Sequence, residues 1–241
     1  MVVASSEQHG VIEHYLFRTY DHSGHELPYP ILNPGPAHNI PIWQVARATS
    51  AAPTYFKAMK IEQRSFLDGG IGANNPSFIA LREARRKMPN TNPYIFVSIG
   101  TGRTDGQGNV EPIPHRGLRR LERLLDIFKN YALNSERIHM NEMSFAADVG
   151  GFDYYRFNVA TGMTDIELDN WKPSVGGRNT LQEIRRHTNH YLLNPDIIES
   201  LLNCAQRLLC LRELRRQTGD WTTFGEGWTD SARPPAVSIE E

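Results

Sequence analysis

Apolar and polar positions along this chain change their period several times, and each change marks an element. Met1 to Ser5 reads as the end of a buried strand, and Tyr15 to Tyr20 alternates as a second one. Trp43 to Ala52 is rich in alanine and stops before Pro53, the pattern of a short, tightly packed helix. Arg64 to Leu67 predicts a short strand, broken by Asp68-Gly69-Gly70. Asn75-Pro76 has the form of an N-cap followed by proline at the first helical position. The helix it opens runs through Phe78, Ile79 and Leu81 to about Lys87. Tyr94 to Ile99 is a dense apolar run, expected to be a central strand.

The second half continues the alternation. Leu118 to about Ala147 repeats apolar residues at helical spacing along one stripe. Tyr154 to Val159 predicts another strand. Thr180-Leu-Gln-Glu183 has capping-box spacing, and Asn194-Pro195 repeats the cap-plus-proline signal before the last helix. Beyond Gly219 the periodicity is lost. Strands alternating with helices imply an α/β layered fold. The expected divisions are 1–85 with the Asp-Gly-Gly turn, 86–219 with the remaining elements of the same domain, and 220–241 as a disordered tail. A chain that opens inside a strand is expected to lack the strands before it, leaving Met1 to Ser5 as an exposed sheet edge.

Composition narrows the classes. The 241 residues are long enough to bury a core, and 39% apolar with 22% charged is ordinary for a globular protein. A net charge of −1 gives no electrostatic case for nucleic acid. Cys204 and Cys210 fall on roughly opposite faces of a helix, so free thiols and a reducing compartment are expected. No apolar run approaches the roughly 20 residues that span a bilayer, and the first residues do not have the form of a signal peptide. The expected location is cytoplasmic or peripheral to membranes.

Several side chains invite a functional reading that the surroundings do not support. His22 and His25 sit in a turn, and His187 and His190 share a helix, but neither pair has a third metal ligand nearby. Both turn histidines are expected to be solvated. Gly100-Thr101-Gly102 lacks the third glycine of a dinucleotide fingerprint and the Gly-Lys-Ser/Thr of a P-loop, so it reads as a turn. The prolines from Pro28 to Pro41 read as a connector into the Trp43 helix. Arg116, Arg119, Arg120 and Arg123 read as a solvated helical face, with lipid headgroups as the alternative.

Asp68 is different. A carboxylate on a turn after a strand, followed by glycines, is placed to act as a base. Alone, Asp-Gly-Gly is also an ordinary turn. Ala46-Arg-Ala-Thr-Ser-Ala-Ala-Pro-Thr-Tyr-Phe56, then Phe66-Leu-Asp-Gly-Gly70 and Asn74-Asn-Pro76, resembles the patatin-like phospholipase family. Phe96-Val-Ser-Ile-Gly-Thr-Gly102 and Tyr155-Arg-Phe-Asn-Val159 extend the resemblance in the manner of fungal members. The resemblance implies a three-layer sandwich with a mixed sheet and hydrolysis of lipid acyl esters by a Ser–Asp dyad. It places the base on Asp68, with Gly69 and Gly70 as its motif loop, and implies no metal or organic cofactor. Phe56, Phe66 and Leu67 are expected to wall the carboxylate and raise its pKa from about 4. The family's nucleophile lies in Gly-x-Ser-x-Gly on a strand-to-helix elbow. No serine here has that setting; Ser98 comes nearest, with Gly100 after it but Phe96 before it. The expectation is therefore half of a site, inactive alone: an incomplete gene product or fragment, or one half of a pair completed by a chain that supplies the N-terminal half. The alternative is a non-catalytic lipid-binding or regulatory module.

Overall fold

The computed structural model of the chain describes residues 1–8, 11–22, 32–53, 55–87, 95–102, 136, 138–163, 166 and 180–217. His25, the basic cluster at 116–123, most of the 118–147 helix, Asp105–Pro114 and the tail lie outside the described residues. Met1–His187 forms one compact unit and Thr188–Glu241 a second. The architecture is mixed α/β, with one antiparallel sheet, one parallel sheet and helices.

The antiparallel sheet has four strands in the order β2-β1-β4-β3. β1 (Val2–Gln8) and β2 (Val11–Phe17) form a hairpin with Val2 opposite Phe17. β4 (Arg64–Leu67) adds to the other side of β1, with Ser5 opposite Leu67, and β3 (Met59–Ile61) follows. Within Met1 to Ser5 only Ser5 gains a β4 partner; Val2 to Ala4 pair with β2 alone among the described residues, so the expected edge is covered only from Ser5 onward. β1 is an inner strand because β4 returns to it from some sixty residues away, a pairing that local pattern does not encode.

The pleat sorts side chains onto two faces. One face carries Ala4, Tyr15, Phe17, Phe66, Met59 and Ile61, and helix α1 (Ile42–Thr49) packs on it through Val45 and Ala48. Ala48 and Ala51 are fully buried, so the alanine-rich sequence reflects close packing. The rings of Tyr15, Phe17 and Phe66 meet with centroids 5.1 Å apart. The opposite face carries Ser5, His14 and Leu67.

The connector before α1 protects the outer edge of β2. The Leu16 N–H donates to Asn33 Oδ1 at 2.9 Å, and Asn33 Nδ2 donates back to the Leu16 carbonyl at 3.0 Å. The Arg18 N–H donates to His38 Nδ1, and the His38 N–H donates to the Arg18 carbonyl. A proline-rich stretch cannot form a strand ladder, but here two side chains and one amide supply the missing bonds.

After the Asp68 turn, a short irregular helix α2 (Gly70–Ala73) leads to α3 (Ser77–Lys87). Asn75 Oδ1 accepts from the Ser77 N–H, as the cap signal predicted. α3 joins two cores. Leu81 packs with Met143 and Phe152, beside Phe96 and Tyr154 of the parallel pair β5 (Ile95–Ile99) and β6 (Asp153–Phe157). A π-helical turn (Ile138–Met143) running into α4 (Ser144–Gly150) completes that core. Among the described residues β5 pairs with β6 alone, and Ile99 at its end is 79% exposed rather than buried as a central strand would leave it. Apolar content overstated its burial.

On its other side, α3 is tied to β2 by a buried ion pair. Arg18 Nε and Nη2 donate to the Glu83 carboxylate, while Nη1 and Nη2 also reach the Asn33 and Leu32 carbonyls. Tyr20 donates to Glu83 Oε1 at 3.0 Å. His22 belongs to the same cluster, with Nε2 3.4 Å from Glu83 Oε2, and is buried rather than solvated. His22 itself forms an antiparallel bridge to Gly35.

In the remaining part of the chain, α5 (Thr180–Leu192) precedes α6 (Pro195–Gln217), where Asn194 Oδ1 accepts from the Asp196 N–H. Cys204 is buried, Cys210 exposed, and both are free thiols.

The Arg18–Glu83 pair yields a stability prediction. Glu83→Ala leaves a buried guanidinium uncompensated and should cost about 3–5 kcal/mol in urea unfolding. The double variant Arg18→Met, Glu83→Leu should recover most of that loss, since a buried pair replaced by apolar groups is often neutral.

Candidate active site around Asp68

Asp68 is the first residue after β4, and its turn is fixed by backbone bonds from both sides. Its N–H donates to the Ala51 carbonyl at 3.0 Å, and the Gly69 N–H donates to the Thr49 carbonyl at 3.1 Å. These bonds satisfy carbonyls that the end of α1 would otherwise leave open. Thr49 Oγ1 donates to the Val3 carbonyl and Ser5 Oγ to the Ile71 carbonyl, both at 2.6 Å. The turn is therefore sewn to β1 before and after the aspartate.

Gly69 is required by space rather than by backbone sign. Its φ is −61°, so no left-handed backbone calls for glycine at this residue. A Cβ at Gly69 would collide with the Val3 carbonyl. The positive φ falls instead at Gly72, at +99°, where a side chain would also meet the His14 ring.

The Asp68 carboxyl is half-buried, and Oδ1 accepts from the Gly70 N–H at 2.7 Å. Burial pushes its pKa above the ordinary aspartate value, and the Gly70 bond offsets part of that shift by favouring the charged form. The expected apolar wall is only partly present. Phe66 and Leu67 are buried beside the turn, but Phe56 is 55% exposed and stacks under Arg47.

Ser98 belongs to a separate hydroxyl chain. Arg156 Nη1 donates to Ser98 Oγ at 2.9 Å, and Ser98 lies 2.8 Å from Ser77 Oγ. Ser77 spends its hydrogen on Asn75 Oδ1 at 2.6 Å, so Ser98 is the donor to Ser77. Its hydroxyl is thus not directed at a carboxylate. His187 packs against Gly162 and contacts Arg186 Nη2 at 3.0 Å. Among the described residues no three His, Cys, Asp or Glu groups gather as a metal site would require. None of the described helices is long and apolar enough to cross a membrane.

Two groups escaped the reading by pattern. His14 lies beside Gly72 on the face that carries the Asp68 turn, and burial lowers its pKa. Arg156 sits in an ordinary strand sequence, and only pairing with β5 places it beside Ser98.

Residues 17–81 match the family model of patatin-like phospholipase. The chain is 31% identical over 137 residues to phospholipase A I of Arabidopsis thaliana, covering 56% of this chain and 10% of that protein. It is 31% identical over 181 residues to calcium-independent phospholipase A2-gamma of Rattus norvegicus, covering 75% of this chain and 21% of that protein. Patatin-like phospholipase 1 of Plasmodium falciparum matches at 28% over 189 residues, 70% of this chain and 27% of that protein. The chain thus spans a tenth to about a quarter of the length of these relatives.

Two predictions test the turn. Gly69→Ala should destabilise the fold by about 1–3 kcal/mol in urea unfolding, because the new methyl meets β1 backbone that cannot move aside. Asp68→Asn should behave differently with pH. A carboxyl whose folded pKa is raised binds more protons in the folded state, so it costs stability as pH rises past its unfolded value. Asparagine does not titrate and still accepts from Gly70. Asp68→Asn should match the parent near about pH 3 and melt at a higher temperature at about pH 7.

Proposed function

We propose that this chain carries the base of a patatin-like lipid acyl hydrolase and not its nucleophile. The observation that supports this most is the Asp68 carboxyl, half-buried with a raised pKa and anchored through Oδ1 by the Gly70 N–H. A serine from a Gly-x-Ser-x-Gly elbow, which this sequence does not contain, would attack the ester carbonyl as Asp68 takes its proton. Water would then hydrolyse the acyl-enzyme, with Asp68 as base again. The Gly70 N–H holds the carboxylate, Gly69 ties its turn to Thr49, and the reaction requires no metal or organic cofactor. The substrate is a lipid or phospholipid ester, met at a membrane surface by a protein peripheral to it. The second reading is a lipid-binding module without catalysis.

The chain alone should turn over p-nitrophenyl acyl esters no faster than background. Fused to, or mixed with, a patatin-like N-terminal segment bearing Gly-x-Ser-x-Gly, it should hydrolyse the ester. Asp68→Asn should then lower turnover by about 10²- to 10⁴-fold, the usual worth of a general base. Equal activity with asparagine would remove the base assignment. Turnover by the unaided chain that disappears in Asp68→Asn would show that the nucleophile is present after all.

A further inference from the structure

An open cleft of about 370 Å³ lies at the carboxyl ends of the parallel pair β5 and β6, bounded by Asn75, Ser77, Ser98, Thr101 and Arg156. Three independent features point to its ligand. Parallel strands leave a crevice beyond their carboxyl ends, where α/β folds take ligands. The N-terminus of α3 opens from the same wall and carries the positive end of the helix dipole. Arg156, whose side chain is only 7% exposed, lines the cleft, and its Nε has no acceptor among the described residues. A buried donor left without an acceptor is costly, and an oxyanion that displaced the side chains closing Nε off from solvent would supply one.

The glycine turn at the rim is fixed by other bonds. The Gly100 N–H donates to the Phe157 carbonyl at 2.8 Å, and the Gly102 N–H to Asn158 Oδ1 at 2.7 Å. A Cβ at Gly100 would strike Asn158. These amides are spent on holding the turn to β6, so they do not cradle a ligand themselves. Glu136, 3.4 Å from Arg156 Nη2, is the acid that an anion must work against.

We propose that this cleft binds a phosphate-type oxyanion, free or carried on a lipid headgroup, through the Arg156 guanidinium with Thr101 at the rim. The proposal does not rest on Asp68 or on ester hydrolysis. It is tested by titrating the full chain with inorganic phosphate by calorimetry, holding ionic strength constant with chloride. Saturable binding is expected, weakened about tenfold or more by Arg156→Gln, as loss of a charge-assisted bond implies. Thr101 is exposed, so Thr101→Glu should keep the far-ultraviolet circular dichroism of the parent and lose phosphate binding by charge repulsion. That variant decides the matter if Arg156→Gln unfolds. Glycerol phosphate or phosphatidic acid vesicles competing better than inorganic phosphate assigns a lipid headgroup; the reverse order assigns free phosphate. Phosphate acting no differently from chloride, or binding fully to a folded Thr101→Glu, overturns the proposal.

Discussion

Two backbone hydrogen bonds, from the Asp68 and Gly69 amides to the Ala51 and Thr49 carbonyls, hold the candidate site together. They join the end of α1 to the turn after β4, two stretches that the sequence separates. Their short reach sets several side chains at once. Ala48 and Ala51 are small because α1 lies close to the sheet, and Gly69 lacks a side chain because the Val3 carbonyl fills that space. Thr49 and Ser5 then spend their hydroxyls on the same seam. The alanine-rich helix and the Asp-Gly-Gly turn are two sides of one contact.

That contact also shapes the chemistry. A turn pinned on two sides cannot move its aspartate into water, so the carboxyl keeps a raised pKa despite the Gly70 bond. The protein handles its other buried acid in the opposite way. Glu83 is buried too, but Arg18 and Tyr20 donate to it and its pKa is held down. One carboxylate is fully matched and fastens α3 to the sheet. The other accepts from the Gly70 N–H and keeps a raised pKa.

Local signals carried much of this architecture. Asn75-Pro76 and Asn194-Pro195 marked the starts of α3 and α6, and the break after Leu67 marked the Asp68 turn, because caps and turns depend on adjacent residues. What pattern missed depends on distant pairing. β1 is an inner strand only because β4 returns to it, and His22 is buried only because Gly35 and Glu83 meet it. At Gly69 the residue type was legible but its reason was not: close approach and positive φ both select glycine, and only the fold separates them. The Arg156 cleft was the least legible, since it forms where β5, β6 and α3 converge.

The central claim is that the fold keeps the Asp68 carboxyl reluctant to ionise. A carbon-13 NMR titration of the aspartate side-chain carboxyls, with the Asp68 signal assigned by its loss in Asp68→Asn, measures this directly. The Asp68 midpoint is expected above that of the same residue in the urea-unfolded chain. A midpoint at or below the unfolded value would contradict the account.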